Sequence, residues 1–385
     1  MRRYHYDFIC KDLEKKMVLL VGPRQVGKTW LAKNIAEKFS SSVYLNYDLM
    51  NDRTIIENQS WLPSVELVIL DEIHKMPNWK NTLKGIFDTK PPAQRLLVTG
   101  SARLDTYDRV GDSLAGRYFR YRLFPLSLPE IHHINPTEAS SAILVQLLHR
   151  GGFPEPFLAD TDVDAQRWRL QYVQSLLSTD VFDIDNIQNL RTFRLVFELL
   201  RQKVGSPVSY QSLAEDAHIS PHTVKKYIQI LEALFVVFSV TPYSRNIARS
   251  LLKEPKIYFY DTALVQGNEG ARLENEVALS LLNHTYLCYD LWGEEVALHY
   301  LRTKDGEEVD FLRTRDNTPF EIIEVKQSDH QISKSLRKFK DKYGFPAVQL
   351  VHYLRHEYED KGIRVMKVEN YLQNLWNRPE HARRI

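Results

Sequence analysis

The chain has 385 residues, of which 43% are hydrophobic and 26% are charged, and its formal net charge is +2. This length exceeds that of one ordinary domain, and the composition is that of a globular protein rather than of a disordered or fibrous one. The near-neutral charge excludes a strongly polybasic protein, although it leaves room for a local basic face.

Cysteine use and hydropathy exclude further classes of protein. Cys10 and Cys288 lie far apart and lack the spacing of a metal site, so neither a disulfide framework nor a zinc site is expected. No apolar run approaches the length of a membrane span, and no signal-like segment follows the first residues. The sequence therefore predicts a reduced cytoplasmic protein without a membrane partner.

The first 125 residues alternate short apolar runs with helical patterns. This order is typical of an α/β domain in which helices cover a mostly parallel sheet. The predicted strands are Met17–Val21, Ser42–Tyr47, Glu66–Leu70, Arg95–Thr99 and Tyr118–Leu123, and the clearest helices are Lys28–Phe39 and Trp79–Asp88.

A phosphate-binding loop follows the first predicted strand. The segment GPRQVGKT fits G-x-x-x-x-G-K-[ST], in which the glycines let backbone N–H groups point at phosphate oxygens. Lys28 would reach the β- and γ-phosphates, and the Thr29 hydroxyl would take a position on Mg²⁺. The predicted ATP contacts are Gly22, Pro23, Arg24, Gln25, Val26, Gly27, Lys28, Thr29 and Trp30.

Acidic residues at the end of another apolar run supply the second half of such a site. In LVILDE, Asp71 is predicted to hold magnesium through its water shell and Glu72 to polarise the attacking water. Thr99 and Ser101 in LLVTGS close the next strand, where they either sense the γ-phosphate or cap the strand end. The expected cofactors are ATP and Mg²⁺.

The γ-phosphate also needs a positive charge, which P-loop ATPases often take from a neighbouring subunit. Arg117 in SLAGRYFRY lies just before the fifth predicted strand, where such an arginine finger would sit. Arg120 and Arg103 are the alternative candidates for the finger. Arg117 could also be a surface arginine without a role in catalysis. A finger at this position predicts a homo-oligomer, with a ring as the natural form.

Two helix pairs follow the first domain. Residues 140–200 have amphipathic helical patterns with GGFPEPF as a turn between them, and a helix–turn–helix with a β-rich hairpin begins near Pro207, which is the winged-helix pattern. Ser220 is the expected N-cap of its second helix. One face of that helix is apolar, and the other is predicted to contact DNA through His222, Lys225, Lys226 and Gln229. A packing role for the module is the alternative.

Near the C-terminus, Asp310, Glu324 and Lys326 stand as D-x13-E-x-K, with Glu274 on the preceding helix as a further ligand candidate. Two carboxylates at this spacing can hold Mg²⁺, which activates a water in nucleases, while the lysine orients the water or neutralises the phosphate. E-x-K on a strand is also frequent by chance, so the alternative is a fold without cleavage. In the basic helix that follows, Ile332, Leu336, Phe339 and Tyr343 form the predicted buried stripe.

These stretches together resemble a large prokaryotic family of AAA-type ATP-binding proteins. The matching segments are GPRQVGKTWLA, LVILDEIHKMPNWK, LLVTGSARL, DSLAGRYFRYRLFPLSLPE, GGFPEPF, PKIYFYDTAL, LENEVA, EVDFL and EIIEVK. The resemblance implies an AAA-type ATPase, a winged-helix segment and a domain similar to restriction endonucleases. It assigns ATP and magnesium to Lys28, Thr29, Asp71 and Glu72, the finger to Arg117, and the nuclease-type signature to the C-terminal residues named above.

The predicted domains are an ATPase domain at 1–135, a helical connector at 136–200, a winged helix at 201–265, an endonuclease-like domain at 266–372 and a basic tail at 373–385. The leading functional hypothesis is an oligomeric Mg·ATP-driven enzyme that remodels or moves on duplex or branched DNA. The alternatives are an ATP-regulated magnesium-dependent nuclease and a signalling or assembly switch without DNA chemistry.

Overall fold

The computed structural model describes residues 3–100, 114–181, 189–244, 254–303, 305–328 and 331–377. The predicted sensor Ser101 and the alternative finger Arg103 lie outside these residues. Within the described ranges, no helix is both long and apolar enough to cross a bilayer. Cys10 and Cys288 are both buried and unbridged.

The chain divides into two compact units. One contains the residues up to Pro125 together with Ala233–Phe235, and the other contains Leu126–Glu232 and the chain from Val236 onward. The first predicted boundary, at 135/136, lies ten residues beyond the observed one. The predicted boundaries at 200/201 and 265/266 fall inside the second unit, so they do not separate compact units.

The first unit is built on a five-stranded parallel sheet with the order β2-β3-β4-β1-β5. Its strands are β1 (Met17–Val21), β2 (Ser42–Asn46), β3 (Leu67–Asp71), β4 (Arg95–Thr99) and β5 (Tyr118–Arg122). Its helices are α1 (Tyr6–Asp12), α2 (Lys28–Ala36), α3 (Met50–Asn58) and α4 (Trp79–Thr89), with a 3-10 turn at Ile73–Lys75. The five predicted strands are confirmed to within one residue at each end.

The central strands of this sheet are covered on both faces. Every residue of β1 and β3 is buried, as expected for parallel strands between layers of helix or loop. Because β1, β3 and β4 run in the same direction, the phosphate-binding loop and the acidic residues Asp71 and Glu72 at the end of β3 meet at the carboxyl edge of the sheet. This edge carries the candidate nucleotide site.

The second unit begins with a helical region. The helices of the whole second unit are α5 (Leu128–Ile134), α6 (Ser140–Arg150), α7 (Pro154–Phe157), α8 (Asp162–Ser175), α9 (Leu190–Gln202), α10 (Tyr210–Ala217), α11 (Pro221–Ala233), α12 (Glu269–Leu287), α13 (Lys334–Tyr343) and α14 (Val368–Gln373). GGFPEPF is more than the predicted turn, because its last four residues form α7. The predicted N-cap of α11 is confirmed, since the Ser220 hydroxyl accepts from the Thr223 N–H at 3.1 Å.

An eight-stranded mixed sheet with the order β12-β13-β11-β10-β9-β8-β6-β7 completes the second unit. The strands are β6 (Val237–Pro242), β7 (Lys256–Phe259), β8 (Val296–Arg302), β9 (Glu308–Arg315), β10 (Thr318–Lys326), β11 (Ala347–Val351), β12 (Tyr358–Asp360) and β13 (Ile363–Lys367). β6 and β7, the first two strands after α11, pair with each other antiparallel, and β6 also pairs with β8 in parallel. The predicted boundary at 265/266 therefore lies within one continuous sheet, and the winged-helix assignment stays a prediction.

The buried stripe of α13 is shorter than predicted. Leu336 and Phe339 are buried, and Ile332 packs against the same core, whereas Tyr343 is 47% exposed. Tyr343 is the last residue of the helix, and its ring stacks on Phe345 at 5.6 Å instead of entering the core. The prediction for Tyr343 is wrong because the helix ends before another turn can cover the ring.

Candidate functional sites

The phosphate-binding loop has the backbone that its glycines predict. Gln25 and Gly27 have φ angles of 59° and 97°, in the left-handed region, and Gly22 has a φ of 148°. A Cβ on Gly22 would lie 2.1 Å from the carbonyl oxygen of Leu123, so no side chain fits there. The loop is thus closed against the end of β5, and its N–H groups lead into α2, which begins at Lys28.

Lys28 is folded back into the loop. Its Nζ donates to the carbonyl oxygens of Gly22 at 3.0 Å and Pro23 at 2.6 Å. Burial lowers the pKa of Lys28 to about 8, and the nearby charges of Glu72 and Asp71 oppose this effect only in part. The ammonium group is therefore held beside the loop in a setting that favours an anionic partner.

Asp71 is oriented by four donors at the end of β3. Its Oδ2 accepts from the hydroxyls of Thr29 at 2.9 Å and Tyr44 at 2.5 Å. Its Oδ1 accepts from the Thr99 hydroxyl and from the Glu72 N–H. Thr29 and Asp71, the predicted magnesium residues, and Thr99, the predicted γ-phosphate sensor or strand cap, are thus brought together.

Tyr44 belongs to this network but is absent from the sequence-based prediction. It lies on β2, and burial followed by its hydrogen bond to Asp71 raises the pKa of its hydroxyl. The Lys33 ammonium lies 5.0 Å from the centre of the Tyr44 ring. Its place on the strand next to β3 is the signal that could have identified it, because neighbouring parallel strands end at the same edge.

Glu72 leaves β3 in a left-handed conformation, with a φ of 56°. Its N–H donates to the Thr99 carbonyl at 3.1 Å, and its carboxylate lies 3.4 Å from Lys75 and 3.6 Å from His74. Burial raises the pKa of Glu72, and the Lys75 charge opposes the rise. A carboxylate with a raised pKa is a stronger base, which suits the predicted role of activating a water.

A second residue that sequence reasoning missed is Arg3, which is 4% exposed. Its guanidinium donates to the carbonyl oxygens of Val26 at 2.9 Å and Phe124 at 2.7 Å, so it ties the phosphate-binding loop to the segment after β5. Of the other predicted contacts, Trp30 is 43% exposed at the start of α2. No local motif marks Arg3, because its partners are far away in sequence.

Arg117 lies on the opposite edge of the sheet from the phosphate-binding loop. Its carbonyl oxygen accepts from the Met17 N–H at 3.1 Å, which places it at the amino ends of β1 and β5. Its guanidinium binds the Asp88 carboxylate through two hydrogen bonds, at 2.8 and 3.0 Å. The length of β1 alone separates it from the loop of its own chain by roughly 13 Å.

The predicted C-terminal residues also come together, in the second unit. The Asp310 Oδ2 accepts from the Val325 N–H at 2.9 Å, and the Lys326 ammonium lies 2.8 Å from Glu324. Burial and then the charge of Asp310 raise the pKa of Glu274, to about 7, and also that of Glu324. Within the described ranges, no group of three or more His, Cys, Asp or Glu side chains has an arrangement that could hold a metal ion.

Two members of this cluster were not predicted, and they change its chemistry. The ammonium of Lys256 on β7 lies 3.2 Å from Glu274, 2.8 Å from Glu308 and 3.4 Å from Asp310. The sequence predicts only a possible magnesium site among Glu274, Asp310 and Glu324, and in the structure the Lys256 ammonium faces two of these carboxylates. The signal in the sequence was the segment PKIYFYDTAL, whose lysine the motif D-x13-E-x-K does not include.

The predicted DNA-contact face of α11 is on the surface. Val224, Ile228 and Leu231 are buried, together with Tyr227 and Ile230. Leu234, predicted on the same face, follows the end of α11 and is half-buried. The side chains of the opposite face are all exposed, namely His222, Lys225, Lys226 and Gln229. This confirms the apolar and polar faces of the helix and leaves DNA contact a prediction.

The two sites differ in whether they fit the cofactors that the sequence predicts. The loop of the first unit offers a curled backbone, a lysine, a threonine hydroxyl and an oriented carboxylate, and this donor set fits Mg·ATP. The C-terminal cluster offers carboxylates that already face an ammonium group, and this set does not fit Mg²⁺.

Three family models match the chain. Residues 14–132 match a family described as AAA domain, residues 141–273 a domain of unknown function (DUF8612), and residues 269–371 a second domain of unknown function (DUF4143). An uncharacterized protein of Mycobacterium tuberculosis is 26% identical over 332 residues, which cover 83% of this chain and 73% of that protein. An uncharacterized protein of Haemophilus influenzae is 24% identical over 362 residues, which cover 86% of each chain.

Solved structures are more distant. The Walker-type ATPase of Pyrococcus abyssi is 13% identical, covers 68% of this chain and 93% of its own, and has a TM-score of 0.43. A variant of Thermotoga maritima RuvB is 18% identical, covers 65% of this chain and 93% of its own, and has a TM-score of 0.32. Both TM-scores are below 0.5, so neither likeness supports an argument about function. The AAA match spans the parallel sheet with its phosphate-binding loop, and residues 14–132 are therefore the AAA-type ATP-binding domain of a P-loop ATPase.

Proposed function

We propose that this ATPase works as an oligomer that uses Mg·ATP hydrolysis to remodel DNA or to move on it. Lys28 binds the β- and γ-phosphates, and Thr29 and Asp71 hold Mg²⁺, which neutralises phosphate charge when bound. Glu72 would accept a proton from the attacking water, and the Thr99 hydroxyl at the end of β4 donates to Asp71 and helps to hold it in place. These roles rest on the geometry of the loop and of the carboxyl edge of the sheet.

The position of Arg117 supports the oligomer. It lies at the amino edge of the sheet, whereas the phosphate-binding loop of the same chain lies at the carboxyl edge. An arginine there cannot reach the γ-phosphate of its own chain, but it can reach that of a neighbour. The bidentate pair with Asp88 holds the guanidinium in one orientation on the surface.

The observation that carries the DNA part of the proposal is the exposed face of α11. Lys225 and Lys226 lie one turn after His222, and Gln229 lies one turn further, so the four side chains form one surface. Lysines supply phosphate contacts, and a helix that follows a tight turn is the element that enters the major groove in helix–turn–helix proteins. Two lysines against one amide favour phosphate binding over reading of the base sequence.

Anisotropy of a fluorescein-labelled four-way junction and of a plain duplex tests the DNA part. We expect the double variant Lys225→Glu/Lys226→Glu to bind both DNAs about tenfold more weakly or worse, with a smaller dependence on salt. The matched control is Lys15→Glu/Lys38→Glu, which reverses the same charge at exposed positions of the ATPase unit. Equal affinity of the α11 variant and the control would contradict this assignment.

The ATPase rate, measured in the same samples, separates the rival function. A DNA remodeller should hydrolyse ATP faster when the junction is present, and the α11 variant should lose this stimulation but keep its basal rate. If the wild type has no DNA affinity at low salt and its rate does not respond to DNA, the alternative of an ATP-driven signalling or assembly switch replaces the proposal.

A further inference from the structure

A fully buried lysine occupies the middle of the carboxylate cluster in the second unit. The side chain of Lys256 is 0% exposed, and its Nζ lies 2.8 to 3.4 Å from one oxygen each of Glu274, Glu308 and Asp310. Glu274 comes from α12, the other two carboxylates come from β9, and the lysine opens β7. Two other elements therefore converge on the ammonium group of β7.

The surroundings fix this ammonium in place. Tyr258, two residues along the same strand, donates its hydroxyl to the same Glu274 oxygen at 2.7 Å. The ring of Tyr300 lies 5.5 Å from Lys256 Nζ, and the Tyr300 hydroxyl donates to the Glu254 carbonyl at 2.6 Å, beside the start of β7. The Lys256 side chain thus has no exposed surface, and its partners are three half-buried carboxylates.

The chain itself supplies three positive charges to the cluster. Besides Lys256, Arg302 lies 2.9 Å from Glu308, and Lys326 lies 2.8 Å from Glu324. The second carboxylate oxygen, Oε2 of Glu324, is buried and has no hydrogen-bond partner within the described part of the chain. A divalent ion at that oxygen would approach Asp310, the carboxylate that already faces Lys256, and the two cations would repel each other.

A magnesium site needs carboxylate oxygens at 2.0 to 2.1 Å in near-octahedral geometry. The three oxygens that converge on the ammonium, one each from Glu274, Glu308 and Asp310, cannot also converge on a metal ion unless the lysine leaves. Removing that lysine would leave three half-buried carboxylates without the counter-charge that they share, which is unfavourable. Lys256 thus satisfies the oxygens of Glu274, Glu308 and Asp310 that face it.

We propose that the Lys256 ammonium is the resident cation of this cluster, in the place where an endonuclease of similar sequence pattern would hold its metal. The second unit then takes up no divalent ion at Asp310 and Glu324 and cleaves no nucleic acid by a metal-activated water. This inference is independent of the proposed DNA binding, because a fold can hold DNA without cutting it.

The first test counts bound Mn²⁺ by electron paramagnetic resonance. Two proteins are compared, both of them the full chain with Asp71→Asn, which removes the magnesium carboxylate of the ATP site. One of them also carries Asp310→Asn. We expect the two proteins to bind the same amount of Mn²⁺. A bound Mn²⁺ ion that is lost with Asp310→Asn, or with Glu324→Gln in the same background, would overturn the proposal.

The second test removes the resident cation. In the Asp71→Asn background, Lys256→Met should create a vacancy for a divalent ion, so Mn²⁺ should raise its unfolding temperature by at least about 3 °C. The same protein with Lys256 intact, and the matched variant Lys256→Arg, should show no such rise. A rise in the protein with Lys256 intact would contradict the proposal, and if Lys256→Met does not fold, the Mn²⁺ count still decides.

The third test is direct. End-labelled four-way junction, fork and duplex DNA are incubated with the wild-type chain, ATP and Mg²⁺ or Mn²⁺, and the strands are separated on a denaturing gel. We expect intact strands. New bands that vanish with Glu324→Ala would mean that the cluster is a working nuclease and would overturn the proposal.

Discussion

Asn275 bonds both backbone groups of Phe259. Its Oδ1 accepts from the Phe259 N–H at 2.7 Å, and its Nδ2 donates to the Phe259 carbonyl at 3.0 Å. Both residues are completely buried, and the contact holds α12 against β7. On α12, Asn275 lies between Glu274 and Glu276. Three successive side chains of the segment LENEVA thus bind the segment PKIYFYDTAL.

Replacement of Asn275 by alanine should destabilise the second unit. The change leaves buried polar groups of Phe259 without their side-chain partner, which lowers the free energy of unfolding by roughly 1–3 kcal/mol. Urea unfolding, followed in the transition of the second unit, measures the effect. Asn374→Ala, at an exposed position, is the matched control and should unfold like the wild type. An unchanged transition of Asn275→Ala would show that the paired hydrogen bonds contribute little.

Glu276 should make the stability of the second unit depend on pH. Burial raises its pKa from 4.5 to about 7, although the Thr262 hydroxyl donates to it at 2.8 Å. Because the folded state holds the proton more tightly than the unfolded state, stability falls as the pH rises from 4.5 to 7 and stays lower above it. The full effect is up to roughly 3 kcal/mol.

Glu276→Gln removes this titration and keeps an oxygen that accepts from Thr262. Its stability relative to the wild type should therefore increase between pH 5 and pH 8, as measured by urea unfolding at each pH. Glu215→Gln, an exposed replacement on α10, should show no such trend. A constant difference between Glu276→Gln and the wild type across this range would mean that Glu276 ionises normally.

ATP binding should take up a proton at high pH. Burial lowers the pKa of Lys28 to about 8, and phosphate groups beside its ammonium would raise that pKa again. Lys28 is charged below pH 8 with or without nucleotide, but above pH 8 it must first gain a proton. The affinity for Mg·ATP should fall as the pH rises through 8, by a factor that approaches ten per pH unit.

Calorimetric titration at pH 9 in buffers of different ionisation enthalpy counts the protons taken up. Lys28→Arg keeps its charge over this range, so its binding, even if weaker, should show no uptake from this position. A wild-type affinity that stays constant from pH 7.5 to pH 9.5 would exclude the lowered pKa.

Arg117→Ala should abolish ATP turnover but keep ATP binding, because the arginine is proposed to act on a neighbouring subunit. Lys28→Ala is inactive because its own ATP site is defective, although its Arg117 is intact. Mixing the two variants should therefore restore part of the turnover in mixed oligomers. Arg95→Ala removes another surface arginine, paired with Glu14, and should stay active. Turnover by Arg117→Ala alone, or no recovery in the mixture although the oligomers exchange subunits, would contradict a finger acting between subunits.

Local sequence determines the nucleotide site to a large extent. The loop from Gly22 to Thr29 is contiguous, and the positive φ angles of Gly22 and Gly27 fall on glycines that a short motif already requires. Asp71 could be placed because a parallel strand that ends in an acid delivers it to the same edge as the loop. Arg3 could not, because its contacts depend on chain segments that the sequence does not place side by side.

The C-terminal cluster shows the limit most clearly. The sequence alone determined that Glu324 and Lys326 share one face of a strand, because side chains two residues apart point the same way. Only the tertiary structure decided which cation the carboxylates face. Lys256 precedes Glu274 by 18 residues and Asp310 by 54, and it joins them only because β7 lies beside α12 within the same unit. The charge of a buried site is set by side chains that converge from distant segments, and spacing within one segment does not contain that information.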